Sequence, residues 1–172
     1  PLVVTVKDHI LPEPKDWAFH LDLWQNPYSV ARYYNVEPFS QEHFDLMRPI
    51  MTRYAEAGGK VITTSIMHKP WNGQTYDPFE SMVTWMKKAD GTWWFDYTVF
   101  DKWVEFMMSC GVKKEINCYS MVPWRLSFQY FDQASNQFKF FNGKPGEPAY
   151  EEFWIRMLQS FAQHLKEKGW FN

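Results

Sequence analysis

Lys113-Lys114-Glu115-Ile116-Asn117-Cys118-Tyr119-Ser120-Met121-Val122-Pro123-Trp124 is the stretch whose reading decides the fold. A helix-like segment and Gly111 precede it. It opens on charge, turns apolar and β-prone, and stops at Pro123. A strand buried in a parallel sheet reads this way, its C-terminal end running into a loop. Asn117, Tyr119, Ser120, Trp124 and Arg125 gather at that end. In barrels built from βα units, ligands bind where strands end.

Two other segments repeat the design. Trp17 to Trp24 alternates Phe19, Leu21 and Leu23 with His20, Asp22 and Trp24, the period of a strand. Gln25-Asn26-Pro27-Tyr28 is read as its end. Lys60 to Met67 is a second β-prone run, ending in His68-Lys69-Pro70-Trp71. Helices are expected between the strands. Gln41 to Ala57 carries Phe44, Met47, Met51 and Tyr54 at helical spacing, with Ser40 as N-cap and Gly58-Gly59 as terminator. Pro49 inside it predicts a kink. Val99 to Cys110 carries Phe100, Trp103, Val104, Met107 and Met108, and Thr98 with Asp101 reads as a capping box. A third helix starts at Pro148 and ends near Gly169.

Two hairpins are expected outside this alternation. Ser81 to Met86 and Thr92 to Tyr97 flank an Asp90-Gly91 turn, and Phe128 to Phe131 and Gln137 to Phe141 flank Asp132 to Asn136. The fold class is therefore α/β, an incomplete (β/α)8 TIM-type barrel. It comprises the first three βα units, with hairpin insertions in the βα loops. A complete barrel takes eight units over about 250 residues, so this sequence reads as part of a longer polypeptide. Residues 16–172 form the barrel part. Residues 1–15, with strand-like Val3 to Val6 and then Pro12 and Pro14, read as a linker or a strand from an upstream domain.

The net charge of −2 gives no reason to expect nucleic acid as a partner. No apolar run has the length of a membrane span. Cys110 and Cys118 are too few for a disulfide framework and read as buried free thiols. Aromatic residues make up 20% of the chain, and many sit in loop-like segments beside Pro, Gly and Asn. Two readings of them stand. Indole and phenol rings stack on the apolar face of a sugar ring, and the same rings pack loops onto a scaffold.

Several kinds of chemistry leave no mark. There is no Gly-rich phosphate loop, nucleophile elbow or zinc-protease motif, and the five His residues have no ligand spacing. No cofactor and no metal are expected. The substrate-binding candidates come from the three strand ends: Asp22, Trp24 and Gln25 from the first, His68 and Trp71 from the second, Tyr119, Trp124 and Arg125 from the third. Asp22 either accepts hydrogen bonds from sugar hydroxyls or pairs with a neighbouring strand.

Phe19-His20-Leu21-Asp22-Leu23-Trp24-Gln25-Asn26-Pro27 resembles the first barrel strand of glycoside hydrolase family 123 and its relatives. Gly58-Gly59-Lys60-Val61-Ile62-Thr63 and His164-Leu165-Lys166-Glu167-Lys168-Gly169-Trp170 are also similar, and Ile116-Asn117-Cys118-Tyr119-Ser120-Met121 with Pro123-Trp124 is the most specific match. The resemblance implies a retaining β-N-acetylgalactosaminidase, with its barrel behind an N-terminal β-sandwich. It also implies substrate-assisted cleavage. A Glu protonates the leaving oxygen, and an Asp orients the 2-acetamido group that attacks the anomeric carbon. That Asp-Glu pair is expected after a fourth strand, just beyond residue 172, so no catalytic residue is assigned here and this stretch alone is expected to be inactive. The implied partners are a glycan and the remainder of the same polypeptide, and the implied setting is extracellular or periplasmic. The rival reading is a non-catalytic glycan-binding protein on the same scaffold.

Overall fold

The computed structural model describes residues 1–171. Four helices and six strands follow a short 3-10 turn at Pro14–Asp16. The order is α1 (Pro27–Tyr34), α2 (Gln41–Glu56), β1 (Val61–Ser65), β2 (Thr84–Lys87), β3 (Trp93–Asp96), α3 (Thr98–Ser109), β4 (Glu115–Tyr119), β5 (Ser127–Asp132), β6 (Gln137–Asn142) and α4 (Pro148–Glu167). Among the described residues, no helix is long and apolar enough to cross a membrane.

The centre of the molecule is the parallel pair β1 and β4, in register from Val61 opposite Glu115 to Ser65 opposite Tyr119. Every residue of β1 is buried. The helical stripes expected from sequence cover it: Met47 and Tyr54 of α2, and Phe100, Trp103, Val104 and Met107 of α3, are all buried in one core. The Trp103 indole donates to Thr63 O at 2.8 Å, which ties α3 to the middle of β1.

The strand expected over Trp17 to Trp24 is corrected. It survives as one parallel bridge, Leu21 to Gly59. The segment does run beside β1, but side chains are interposed. The Tyr54 hydroxyl lies 3.1 to 3.4 Å from Leu21 O, Leu23 N, Val61 O and Val61 N. The Gln25 amide takes the next positions on β1. Backbone groups that a ladder would pair are thus satisfied by a hydroxyl and an amide. Gly59 makes room for this, since a Cβ there would stand 2.4 Å from the Tyr54 ring. Gly58 ends α2 at φ +87°, the left-handed position that terminates helices.

Other expectations need correction as well. Helix α1 was not expected: Asn26 Oδ1 accepts from Ser29 N, and Pro27 stands in the first helical turn, so the end of the strand-like segment leads directly into a helix. The capping box at Thr98 is absent. Asp96 Oδ1 accepts from Thr98 N at 3.0 Å, while Asp101 is held by His164 at 2.7 Å. Val3 to Val6 forms no strand, and its side chains are exposed. Cys110 and Cys118 are free, as expected; Cys110 is buried and Cys118 is part-buried, with its thiol pushed up to about 11 by desolvation.

The two hairpins do more than decorate loops. Met86 and Lys87 of β2 pair in parallel with Phe131 and Asp132 of β5, so the hairpins join into one sheet of order β3-β2-β5-β6. One face packs on α4, where Phe153 stacks on Trp85 and Phe141 at centroid distances of 5.0 and 4.6 Å.

Candidate functional site

The loops that follow the three parallel segments meet. Trp24 stacks on Trp71 with ring centroids 5.4 Å apart and planes 30° apart. Tyr119 completes the group, 5.1 Å from Trp24 and 4.6 Å from Trp71. Each ring comes from a different segment, so the parallel alignment of β1, β4 and the Leu21 bridge places them together. Trp71 is buried and further backed by Phe79 at 4.5 Å, whereas Trp24 is 58% exposed. A cavity of about 250 Å³ opens here, lined by Trp24, Trp71, Phe79, Asn26, Gln74 and Thr75.

Asp22 lies close enough to Tyr119 for its charge to act on the phenol. Its Oδ2 accepts from Asn117 Nδ2 on β4 at 3.3 Å, so it does reach the neighbouring strand. Its Oδ1 is buried with no partner among the described residues. A buried carboxylate oxygen with no donor is costly. Burial raises the Tyr119 phenol above its ordinary value, and the Asp22 charge adds to the rise. Tyr119 therefore keeps its proton at neutral pH and offers a donor beside the Asp22 acceptor.

The other candidates fall elsewhere. Gln25 is buried and its side chain is spent on β1: Oε1 accepts from Thr63 N at 2.8 Å, and Nε2 donates to Val61 O at 3.2 Å and to Leu23 O. It supports the site and does not line it. His68 points to a separate cleft, where Nδ1 lies 2.6 Å from Glu80 Oε2. Trp124 is 69% exposed, and its backbone N donates to Pro70 O in the loop after β1 at 3.2 Å. Arg125 is exposed and forms no ion pair among the described residues. Among the described residues, no group of three His, Cys, Asp or Glu could hold a metal ion.

Sequence reasoning missed the fastening of the loop that carries Trp71. Arg32 of α1 pairs with the buried Asp77 at 2.5 Å and lies over the Tyr76 ring at 4.7 Å. Tyr28 donates to Glu80 O at 2.9 Å and packs edge-on to Phe79. The Asn-Pro start of α1 was the available signal, since a helix there brings Tyr28 and Arg32 to one side at i and i+4.

Residues 24–172 match the model of the glycoside hydrolase 123 catalytic domain. The chain belongs to glycoside hydrolase family 123. The family match thus includes Trp24, Trp71 and Tyr119, though not Asp22. Among solved structures, this family 123 chain is similar to a family 123 glycoside hydrolase from Clostridium perfringens, studied for the details of glycolipid glycan hydrolysis. The TM-score is 0.90 at 38% identity, over 93% of this chain and 29% of that one. The chain thus spans less than a third of the length of that relative. A search of curated proteins finds no match.

Proposed function

We propose that this chain supplies the first three βα units of a (β/α)8 barrel, within a glycosidase that acts on β-linked N-acetylhexosamine, and N-acetylgalactosamine in particular. The observation that carries the proposal is the convergence of Trp24, Trp71 and Tyr119 from three parallel segments, beside an Asp22 oxygen that has no partner. Rings of this kind offer apolar faces to a sugar ring, and a carboxylate with a phenol offers an acceptor and a donor to its hydroxyls. The glycolipid-glycan substrate of the Clostridium perfringens relative supports a glycan as ligand.

The mechanism proposed is retaining and substrate-assisted. The acetamido oxygen of the substrate forms a bond to the anomeric carbon as the glycosidic bond breaks. A Glu gives its proton to the departing oxygen, and an Asp orients the acetamide. This pair belongs after a fourth strand, beyond Asn172. The part played by residues 16–172 is to bind and orient the sugar. Residues 1–15 belong with an upstream β-sandwich, a reading supported by the exposed Leu2, Val3, Val4 and Val6. An extracellular or periplasmic setting, where glycans are met, completes the proposal.

The test uses the full-length polypeptide. Turnover of an aryl N-acetyl-β-galactosaminide, with inertness toward the aryl β-galactoside that lacks the acetamido group, is the expected result. Proton NMR of the first product should show the β anomer. Glycan binding without turnover would replace the enzyme by the glycan-binding reading.

A further inference from the structure

The four-stranded sheet carries a second aromatic surface. Its register sets Trp94, Met86, Phe131 and Phe138 side by side across all four strands. This is the face opposite Trp85 and Phe141, which pack on α4. Phe138 is 66% exposed. Where this outer face meets the loop after β1, a cleft of about 200 Å³ is lined by His68, Glu80, Thr84, Gln129 and Phe138, among others. Thr84 and Gln129 alternate with Met86 and Phe131 and so share the outer face. Neither the Thr84 hydroxyl nor the Gln129 amide makes a hydrogen bond to protein among the described residues, and His68 and Glu80 hold each other at 2.6 Å.

This cleft is close to the Trp24–Trp71–Tyr119 group. His68 and Trp71 are three residues apart, so their Cα atoms are separated by at most about 11 Å. The turn between them is fixed by Lys69 at φ +51° and by its backbone N–H, which donates to Phe79 O at 2.8 Å. Both features therefore belong to one rim, with an exposed ring and uncommitted polar groups at each end.

We propose that the cleft is a second sugar subsite, which takes a sugar of the same glycan beyond the ring held at Trp24, Trp71 and Tyr119. Phe138 is the stacking ring. Thr84, Gln129 and Glu80 bond the hydroxyls, and His68 holds the Glu80 carboxylate in place. The inference rests on the glycan-binding reading of the aromatic group.

The experiment compares Phe138→Ala and Gln129→Ala with the unmodified full-length protein, on two substrates. One is an aryl N-acetyl-β-galactosaminide, and the other is an oligosaccharide ending in the same sugar. The expected result is a rise in KM for the oligosaccharide of about tenfold, with the aryl substrate unchanged. Equal losses on both substrates, or an unchanged oligosaccharide KM, would overturn the subsite. If the unmodified protein turns over neither substrate, the glycosidase reading fails and the same variants are titrated with the oligosaccharide by calorimetry. Binding weakened in the variants then supports the subsite. Binding that is unchanged in them, or undetectable in the unmodified protein, overturns it.

Discussion

Gln25 pairs with Thr63 much as a neighbouring strand would, but partly through its side chain. Gln25 Oε1 accepts from Thr63 N at 2.8 Å, and Gln25 N donates to Thr63 Oγ1 at 3.3 Å. With Tyr54, this pair holds the Trp17 to Trp24 segment beside β1, and so holds Asp22 and Trp24 at the site.

Tyr54→Phe is expected to lower the stability of the full-length protein by about 1–3 kcal/mol, because it strands buried backbone groups. Gln25→Glu should cost at least as much, since a carboxylate cannot donate to Val61 O or Leu23 O. Denaturant unfolding measures both. Midpoints within error of the unmodified protein would show that the ladder does not depend on these side chains.

Trp24 and Trp71 separate binding from packing. Trp24 is mostly exposed, so Trp24→Ala is expected to weaken glycan binding about tenfold, or roughly 1.4 kcal/mol, with the melting temperature nearly unchanged. Trp71 is buried, and Trp71→Ala is expected to lower both, with a stability loss of about 3–5 kcal/mol. Calorimetric titration and thermal melting of the two variants test this. Normal glycan binding by Trp24→Ala would place its ring outside the site.

Asp22 is expected to act on Tyr119 through charge. Burial and the Asp22 carboxylate both raise the Tyr119 phenol, with burial the larger cause. Asp22→Asn should therefore bring its titration down, though not to the ordinary value, as read by phenolate absorbance against an Asp22→Asn, Tyr119→Phe control. Asp22→Ala should weaken glycan binding roughly 10- to 150-fold if its carboxylate bonds sugar hydroxyls. A sharp fall in melting temperature with normal glycan affinity would make Asp22 part of the scaffold.

Arg32 and Asp77 should make the loop that carries Trp71 sensitive to acid. The Arg32 guanidinium holds the Asp77 carboxyl below the usual carboxylate range. A lowered value stabilises the folded loop at any pH above the ordinary Asp pKa of about 3.9, and the contribution is lost as pH falls through the lowered value. Arg32→Ala is expected to move the acid loosening of the loop to higher pH, followed by Trp fluorescence. An unmoved transition would show that the ion pair does not fasten the loop.

Much of this protein was legible in its sequence because the signals are local. The stripes Phe100-Trp103-Val104-Met107 and Met47-Met51-Tyr54 specify buried helix faces wherever the partners lie, and Glu115 to Tyr119 reads as a strand from its own residues. Trp24, Trp71 and Tyr119 were nameable as strand-end aromatics for the same reason. That the ends of parallel βα units meet at one rim follows from barrel geometry, but which rings touch did not, because a ring-to-ring contact depends on register between segments far apart in the chain.

The tertiary structure alone decided three things. Trp17 to Trp24 has the alternation of a strand, yet its pairing depended on whether Tyr54 and Gln25 would reach the edge of β1 first. The two hairpins were predictable one by one from their turns, but the Met86–Phe131 pairing that fuses them into a sheet joins insertions from different loops. His68 and Gln25 looked like site residues beside Trp71 and Trp24. Packing turned His68 toward Glu80 and Gln25 toward Thr63, because a polar side chain is committed to whichever partner the fold brings within hydrogen-bond reach.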